Sequence, residues 1–239
     1  MNTYNLLAVI PARGGSKRLS KKNIIDFFGK PLIYYSVEAA IESNIFSEIV
    51  VSSEDDEILN LVSKLENISL LKRPNYLATD ESSVMDVVNH VLDIKDDNYD
   101  YVFIILPSTP MRDKRDLKNA YNVLIKKKPN AIISVFESPF PFIYSFYIDE
   151  GYLYRYFPKS FVTQSQKAPK CYIDNGGFYA LRPDFIRKKN YCPPYTIPYI
   201  MPFWKSIDIN TKEDLEVAKA FYLYFKDNNK DVDKDINNV

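Results

Sequence analysis

The amino-acid sequence predicts an α/β fold with a mostly parallel sheet and helices on both of its faces. Apolar runs typical of strands alternate with segments of helical periodicity over the first 136 residues. This alternation is typical of parallel strands joined by crossover helices, in which ligands sit beyond the carboxyl ends of the strands. With 239 residues and 46% hydrophobic content, the chain can bury one sizeable core of this kind.

The predicted strands and helices follow one another along this first part of the chain. The strands are Leu6–Ile10, Ile49–Ser52, Tyr101–Leu106 and Ala131–Phe136. The helices are Ile33–Ser43, Asp55–Leu65, Val84–Leu92 and Asp113–Lys127. The strands are short and largely apolar, as expected for strands that are covered on both faces.

The alternation stops after Phe136. Residues 137–176 are rich in aromatic side chains and carry prolines at their ends, which predicts hairpin-like strands without crossover helices. We interpret this segment as an insertion. Its aromatic side chains predict an interface or a ligand pocket, although a core beneath long loops explains them equally well.

After the insertion, the chain is predicted to return to the first domain. It does so through Gly177–Leu181 and Phe203–Ile209 and ends in a helix, Glu213–Phe225, capped by Asn210-Thr211. The remaining residues are polar and of low complexity, which predicts a frayed tail. The predicted organisation is an α/β domain of residues 1–136 and 177–226, an insertion of residues 137–176 and a tail of residues 227–239.

Charge and cysteine usage exclude several classes of protein. Lys and Arg together number 31, as do Asp and Glu, so no overall field draws the chain to nucleic acid or to an anionic membrane. The first residues lack the pattern of a leader peptide and no apolar run reaches membrane-spanning length, so we expect a cytoplasmic protein. Cys171 and Cys192 have only one histidine, His90, to accompany them, which argues against a disulfide framework or a zinc site.

The loop after the first strand is the strongest candidate for a binding site. Gly14-Gly15 lets backbone N–H groups approach an anion and permits positive φ angles. Basic side chains surround this pair and would supply charge-assisted donors for phosphate: Arg13, Lys17, Arg18, Lys21 and Lys22. The spacing fits neither the Walker A loop nor the dinucleotide-binding loop, so a basic surface turn remains the alternative.

A longer series of motifs gives this loop a context. The motifs are IPARGGSKRL and KKN within positions 10–23, GKPLI at 29–33, SVEAA at 36–40, VSSEDDEI at 51–58, RP and LATD within 73–80, DNGGFY at 174–179 and SIDINT at 206–211. In this order, over nearly the whole chain, they closely resemble the acylneuraminate cytidylyltransferases. That family makes CMP-activated sialic acids and includes a pseudaminic acid branch.

The resemblance implies a fold, an activity and an assembly. The fold is the Rossmann-like nucleotide-diphospho-sugar transferase fold, with a β-rich dimerisation insertion. The implied activity couples CTP to a nonulosonic (sialic-type) acid, giving the CMP-sugar and pyrophosphate for cell-surface glycan biosynthesis. The implied assembly is a homodimer, with the partner's insertion near each active site. A related nucleotidyltransferase with another acceptor and a non-catalytic nucleotide-binding homologue are the alternatives.

The resemblance also assigns nucleotide-binding residues. Arg13, Lys22 and Asn23 match the residues that would meet the triphosphate of CTP. Backbone N–H groups of Gly14, Gly15 and Ser16 would add neutral donors around the phosphates, and Ala12 is also implied to bind the nucleotide. Arg73 with Ser82 or Ser83 would read the cytosine base. The alternative for the two serines, and for Asp80 beside them, is a cap of the helix that begins near Val84.

Catalysis in this family implies a magnesium ion. Asp208, at the end of the predicted strand SIDI, is the metal candidate, and Arg13, Lys22 and Asp208 are the implied catalytic residues. The usual second aspartate of the motif is Asn210 here, which can ligate through its amide oxygen but lacks the negative charge. Either metal affinity is weaker, or another carboxylate or a water shell completes the site. The acidic residues 54–57 are expected to supply charge at a helix N-terminus, with a magnesium role as the alternative.

The sugar side departs furthest from the family pattern. Leu106 stands where a hydrogen-bonding glutamine is usual, and Gln166-Lys167 stands near the position of a missing arginine. We predict that Leu106, Gln166, Lys167 and Tyr179 line the sugar site. The acceptor is predicted to be a pseudaminic or legionaminic type of acid, or N-acetylneuraminic acid.

Overall fold

The computed structural model describes residues 4–95, 98–158 and 164–227. The strands are β1 Leu6–Pro11, β2 Asp26–Phe27, β3 Lys30–Pro31, β4 Glu48–Ser53, β5 Ser69–Lys72, β6 Tyr101–Ile104, β7 Ala131–Glu137, β8 Phe146–Asp149, β9 Tyr152–Arg155, β10 Tyr172–Leu181 and β11 Thr196–Ile200. The α-helices are α1 Leu32–Ser43, α2 Asp56–Val62, α3 Val84–Lys95, α4 Lys114–Lys127, α5 Pro183–Arg187 and α6 Lys212–Asp227.

The central sheet has seven strands in the order β11-β7-β10-β6-β1-β4-β5. Strands β4 and β6 flank β1 in parallel, β5 lies parallel to β4, and β11 lies parallel to β7. Strand β10 is the antiparallel member and joins β6 to β7. The predicted mostly parallel sheet is therefore confirmed.

Alternate residues of β1 enter two different cores. Leu6, Ala8 and Ile10 belong to a cluster that includes apolar residues of α1, α2 and α4. Leu7 and Val9 belong to a second cluster, formed with residues of α3 and α5. Because strand side chains alternate between faces, helices must cover both sides of the sheet, as predicted.

A third core brings two distant segments of the chain together. Leu19, from the loop after β1, and Ile209, from the segment before α6, are buried in one cluster with Phe27 and Leu32. The backbone N–H of Ile209 also donates to Ser108 O at 2.8 Å. These contacts place the basic loop beside the segment that carries Asp208.

Several sequence expectations about strands were wrong. Residues 203–209 do not form a strand: Phe203–Lys205 is a short 3₁₀ helix, and the following backbone bonds to the loop at Ser108 rather than to the sheet. The sheet instead gains β5 and β11, which were not predicted, and β10 begins five residues before Gly177. Asp208 therefore lies in an irregular segment.

The insertion contains the predicted hairpin. Strands β8 and β9 form a separate two-stranded antiparallel sheet, connected by Glu150 and Gly151, which both have positive φ. Strand β10 runs from residues of the insertion into the central sheet, so the domain boundary at residue 176 remains a prediction. The predicted tail, 227–239, lies outside the described residues except for Asp227.

None of the helices in the described parts of the chain is both long and apolar enough to cross a membrane.

Candidate active site

The basic loop opens into two adjoining clefts at the carboxyl ends of the parallel strands. One cleft, of about 330 Å³, extends past Arg73 and Ser82 to Leu106. The other, of about 380 Å³, is lined by Ser16, Lys17, Arg18 and Asn210. Four residues line both clefts: Arg13, Lys22, Asn23 and Asp80. The arrangement offers a partly apolar compartment beside a strongly basic one.

The glycine pair in this loop is explained by the lack of room for a side chain at Gly14 and not by unusual dihedral angles. Neither Gly14 nor Gly15 has a positive φ, so the loop does not use the conformational freedom that the two glycines permit. A Cβ at Gly14 would lie 2.0 Å from Asp55 Oδ2, whereas a Cβ at Gly15 would meet nothing within 4 Å. Gly14 N donates to Glu54 Oε1 at 2.7 Å, so a carboxylate already occupies this backbone donor.

Asn23 holds the loop from inside. It is buried, and its Nδ2 donates to the backbone oxygen of Arg13 at 2.8 Å. Ala12, also buried, donates its N–H to Ser52 O at 2.9 Å and continues the β1 pairing. These bonds fix the direction in which the chain leaves β1, and Arg13 is the first basic side chain after the strand to line the clefts.

Asp80 pairs with two cations of the basic loop. Arg13 Nη1 donates to Asp80 Oδ1 at 2.9 Å, and Lys17 Nζ contacts Asp80 Oδ2. Hydrogen bonds from Lys17 and Arg13 lower the pKa of the Asp80 carboxyl. All three side chains are substantially exposed, so these ion pairs are weak. Another anion can therefore replace the Asp80 carboxylate at little cost.

Arg73 is buried against a carboxylate. Only 3% of its side chain is exposed, and its Nη2 and Nε donate to Glu54 Oε2 at 2.7 and 3.1 Å. Burial lowers the pKa of this guanidinium, and the charge of Glu54 opposes the shift. Glu54 thus ties Arg73 to Gly14, a role that sequence reasoning missed because its partners lie 19 and 40 residues away.

Other acidic residues of the 54–57 run supply helix-terminal charge, as predicted. Asp55 is the N-cap of α2, and its Oδ1 accepts from the backbone N–H groups of Glu57 and Ile58. Asp56 and Glu57 lie in the first turn of the helix. Asp55 also packs against Gly14, so the cap helps to shape the basic loop.

Ser82 and Ser83 line the cleft of about 330 Å³, and both also make hydrogen bonds within the protein. Ser83 Oγ accepts from Asp86 N at 3.2 Å, and Asp86 Oδ2 accepts from Ser83 N at 3.0 Å, which forms a cap at the start of α3. Ser82 Oγ donates to Tyr76 O at 2.6 Å. The capping interpretation is confirmed for Ser83, and base recognition by either serine remains a prediction.

Lys22, Asn210 and Asp208 form a continuous hydrogen-bonded chain. Lys22 Nζ donates to Asn210 Oδ1 at 3.0 Å, and Asn210 Nδ2 donates to Asp208 Oδ2 at 2.7 Å. Burial lowers the pKa of Lys22, while the nearby Asp208 carboxylate acts in the opposite direction. The three residues lie together, as the resemblance implies, but the amide oxygen of Asn210 is engaged by Lys22.

Tyr179 faces this group from β10. A register shift between Asp174 and Tyr179 bulges the strand, and Gly176 has φ +64° within it. Tyr179 Oη donates to the Asp174 carboxylate, with distances of 2.9 and 2.8 Å to its two oxygens. Burial raises the pKa of the Tyr179 hydroxyl, and the charges of Asp174 and Asp208 add to the shift.

Gly176 lies beside Leu106, one of the residues predicted to line the sugar site, and beside Asp208. A Cβ there would lie 3.5 Å from Leu106 Cδ1, 3.6 Å from Thr109 Oγ1 and 3.9 Å from Asp208 Cγ. Asp174 Oδ1 accepts from Gly176 N at 2.9 Å, so this carboxylate belongs to the same neighbourhood. Sequence reasoning quoted Asp174 within a motif but assigned it no role, since only the bulge directs it here.

The other two predicted sugar-site residues lie elsewhere in the described parts of the chain. Gln166 and Lys167 are exposed in a 3₁₀ turn of the insertion and line neither cleft. A cleft of about 730 Å³ between α1, α4 and α6 contains none of the predicted site residues. The candidate active site is therefore the pair of clefts beside β1.

Comparison with known proteins gives this site a family. The sequence matches the cytidylyltransferase family model over residues 7–167. It is 37% identical over 226 residues to a pseudaminic acid cytidylyltransferase of Campylobacter jejuni subsp. jejuni, covering 90% of this chain and 95% of that protein. It is also 30% identical over 217 residues to an N-acylneuraminate cytidylyltransferase of Escherichia coli, covering 89% of this chain and 51% of that protein.

Solved structures agree on the fold. A CMP:2-keto-3-deoxy-manno-octonic acid synthetase in complex with CTP superposes with a TM-score of 0.67 at 18% identity, covering 92% of this chain and 99% of that one. A 4-diphosphocytidyl-2C-methyl-D-erythritol synthase from Anaerococcus prevotii gives 0.65 at 15% identity, with 92% and 96% coverage. The predicted Rossmann-like fold is confirmed. On the sequence matches, the chain belongs to the cytidylyltransferase family.

Proposed function

We propose that this protein couples CTP to a nonulosonic acid and releases the CMP-sugar and pyrophosphate. The observation that carries the proposal is the pair of adjoining clefts, which share Arg13, Lys22 and Asn23 and meet Asp208 through Asn210. The anomeric oxygen of the sugar forms a bond to the α-phosphorus of CTP. The bond between that phosphorus and the oxygen that bridges the α- and β-phosphates breaks, and this oxygen leaves with pyrophosphate. The hydroxyl proton passes to solvent, and no covalent enzyme intermediate is needed.

The basic cleft would bind the triphosphate. Arg13 is paired with Asp80 through exposed groups, so the more highly charged phosphates can replace that carboxylate. Lys22 reaches both clefts from a half-buried position, where its charge is less screened by water. Backbone N–H groups of Gly15 and Ser16 would add donors, whereas that of Gly14 remains on Glu54.

The adjoining cleft would hold cytidine. Its walls combine apolar side chains with Ser82, Ser83 and the buried Arg73. Cytosine presents a carbonyl, a ring acceptor and an amino group, which hydroxyls and backbone groups can match. The Arg73–Glu54 pair fixes the floor of this cleft to the basic loop, so base and phosphate subsites keep a constant spacing.

We propose Asp208 as the carboxylate ligand of a magnesium ion whose other ligands are substrate and water oxygens, since no cluster of three or more His, Cys, Asp or Glu side chains suited to a metal occurs among the described residues. Asp208 is exposed beside the basic loop and offers a carboxylate, the hard oxygen ligand that Mg²⁺ takes together with substrate phosphates. Bound there, the ion would help to neutralise the charge that develops on the leaving pyrophosphate. Arg13 and Lys22 would share this electrostatic task.

We propose that the sugar lies on the side of the clefts formed by Leu106 and Tyr179. Leu106 lies against Gly176, near Asp208, and the charge of Asp208 also acts on the Tyr179 hydroxyl. The greater identity to the pseudaminic acid enzyme, 37% against 30%, favours an acceptor of that type over N-acetylneuraminic acid. Gln166 and Lys167 would reach the sugar of a partner subunit from the insertion.

The hairpin of the insertion supports a homodimer. Apolar side chains stand exposed on both of its strands, including Ile148 at 73%, Tyr152 at 69% and Leu153 at 64%. A contiguous exposed apolar surface of this kind marks a site of protein association. A second copy of the same hairpin would cover it, and residues 137–176 would then serve as the dimerisation segment of the α/β domain.

A pyrophosphate-release assay tests the proposal. Purified protein, CTP and Mg²⁺ are combined with pseudaminic acid, legionaminic acid, N-acetylneuraminic acid and, as a contrasting acceptor, a sugar phosphate. We expect release with at least one nonulosonic acid and the highest kcat/KM with the pseudaminic type. Release with the sugar phosphate alone would favour another acceptor class, and CTP binding without any release would favour a non-catalytic homologue.

A further inference from the structure

Asn210 joins two charged side chains that the proposed reaction uses. Its Oδ1 accepts from Lys22 Nζ at 3.0 Å, and its Nδ2 donates to Asp208 Oδ2 at 2.7 Å. An ammonium group can only donate and a carboxylate can only accept, so a single orientation of the amide satisfies both neighbours. The amide therefore fixes Lys22 and Asp208 relative to each other.

The backbone around Asn210 is itself held firmly. Its N–H donates to Asp214 Oδ2 at 2.9 Å, and the N–H of Thr211 donates to the same oxygen at 2.8 Å, at the start of α6. On the other side, Ile209 is buried with Leu19 of the basic loop. The side chain of Asn210 thus projects from a fixed point between α6 and that loop.

This geometry limits what Asn210 can do for a metal ion. The amide oxygen, its only atom suited to a hard cation, already accepts from Lys22. An aspartate here would still accept from Lys22, but its second oxygen would face Asp208 Oδ2, and two carboxylates in that contact repel each other. The amide supplies the hydrogen that removes this repulsion, so Asp208 is oriented before any cation binds.

We propose that Asn210 is a positioning residue: its amide aims the Lys22 ammonium at the triphosphate and holds Asp208 ready for the metal, without ligating the metal itself. This inference rests on the proposed cytidylyl transfer. Lys22 has further donors that face the clefts, and Asp208 keeps Oδ1 for a cation. Metal-free affinity for CTP then depends on Asn210 through Lys22, whereas the gain from metal depends mainly on the Asp208 carboxylate and only to a small extent on its orientation by Asn210.

Calorimetric titration with CTP separates these two dependences. Each protein is titrated once in chelator and once in saturating Mn²⁺, and the ratio of the two Kd values measures the contribution of the metal. For Asn210→Ala we expect metal-free Kd to rise about tenfold and the ratio to stay within about threefold of wild type. For Asp208→Asn we expect the ratio to fall at least about tenfold with no loss of metal-free affinity.

Two further variants exclude indirect effects. Because the bonds of Asn210 to Asp214 come from the backbone, Asn210→Ala keeps the start of α6, which circular dichroism checks. Asn122→Ala, the same change on exposed α4, should match wild type in both titrations. In a Lys22→Ala background, Asn210→Ala should weaken metal-free binding by less than about twofold, because no ammonium remains to be aimed.

The remaining outcomes contradict specific claims. If Asn210→Ala lowers the ratio tenfold and leaves metal-free Kd unchanged, Asn210 is a metal ligand and the inference is wrong. If Asn210→Ala weakens metal-free CTP binding equally with and without Lys22, the role of Asn210 is merely structural and the inference is again overturned. A wild-type protein that binds CTP under neither condition would instead overturn the proposed function, and the inference with it.

Discussion

Two neighbouring carboxylates explain why position 14 of the basic loop is a glycine. Asp55 Oδ2 occupies the position that a side chain would need, and Glu54 Oε1 takes the backbone N–H. The sequence predicted a glycine loop after β1, and that prediction is correct. It could not predict that one donor would be used internally, because Glu54 comes from the end of β4 and meets Gly14 only in the folded sheet.

Alanine substitutions at Gly14 and Gly15 distinguish a steric clash of the new side chain from a general effect of losing a glycine. In Gly14→Ala, the new methyl group must displace Asp55, and we expect the free energy of unfolding to fall by about 1–3 kcal/mol. Gly15→Ala is the matched control, since nothing lies within 4 Å of its Cβ. Urea denaturation measures both changes, and equal losses would show that space at Gly14 is not the cause.

At the scale of elements, hydrophobic alternation predicted the strands and helices nearest the site. β1 and β6, and most of β4 and β7, are buried on both faces, so each carries an apolar run that is easily recognised. β5 and β11 lie at the sheet edges, where half-exposed residues and Pro198 weaken that pattern. Residues 206–210 do alternate, but their bonds go to the loop at Ser108 and to α6.

The cap of α3 predicts a pH dependence of stability. A hydrogen bond from Lys189, with further bonds from Ser83, holds the pKa of Asp86 below its usual value. Folding therefore favours the ionised form, so the contribution to stability is present above the ordinary carboxyl pKa and is lost as pH falls through the lowered value. The window for this loss lies below about pH 4.

Asp86→Asn tests this linkage. We expect it to reduce the free energy of unfolding by about 1 kcal/mol at pH 7, with a smaller difference from wild type below pH 4. Chemical denaturation at several pH values measures the difference. Asp56→Asn, which removes an exposed ion pair with Lys72, should have a smaller effect at neutral pH. A difference for Asp86→Asn that is constant with pH would contradict the assignment.

At the scale of the whole molecule, the hairpin of the insertion is the feature that a single chain leaves unexplained. Ile148 and Leu153 stand opposite each other in register, and both are mostly exposed. We expect the double variant Ile148→Lys, Leu153→Lys to convert a dimer into monomers, because four buried charges per interface would then lack partners. Sedimentation velocity measures the change.

A control for the hairpin variant is available on α6. Val217 is also exposed, at 45%, and lies outside the insertion. Val217→Lys should sediment like the wild type at every concentration. A wild-type chain that sediments as a monomer at high micromolar concentration would contradict the proposed assembly, while a dimer that survives both hairpin substitutions would place its interface elsewhere.

The motif of the proposed nucleotide subsite can be recognised in the sequence more readily than the residues of the proposed acceptor subsite. Arg13, Lys22 and Asn23 lie in one short segment after β1, so their motif can be read from the sequence although Arg13 and Lys22 bond to distant residues. The acceptor side depends on a bulge in β10, on the loop at Leu106 and on the segment of Asp208, which come together only through tertiary packing. Asp174 and Glu54 were missed for this reason.

The most direct measurement of the central claim is phosphorus NMR of the protein with CTP, Mg²⁺ and pseudaminic acid. We predict that a phosphodiester resonance appears together with pyrophosphate in equal amounts. Asp208→Ala should lower this rate at least about 100-fold while metal-free CTP binding is retained. Formation of pyrophosphate and CMP without the phosphodiester would contradict the account. So would an Asp208→Ala variant that forms the phosphodiester at the wild-type rate.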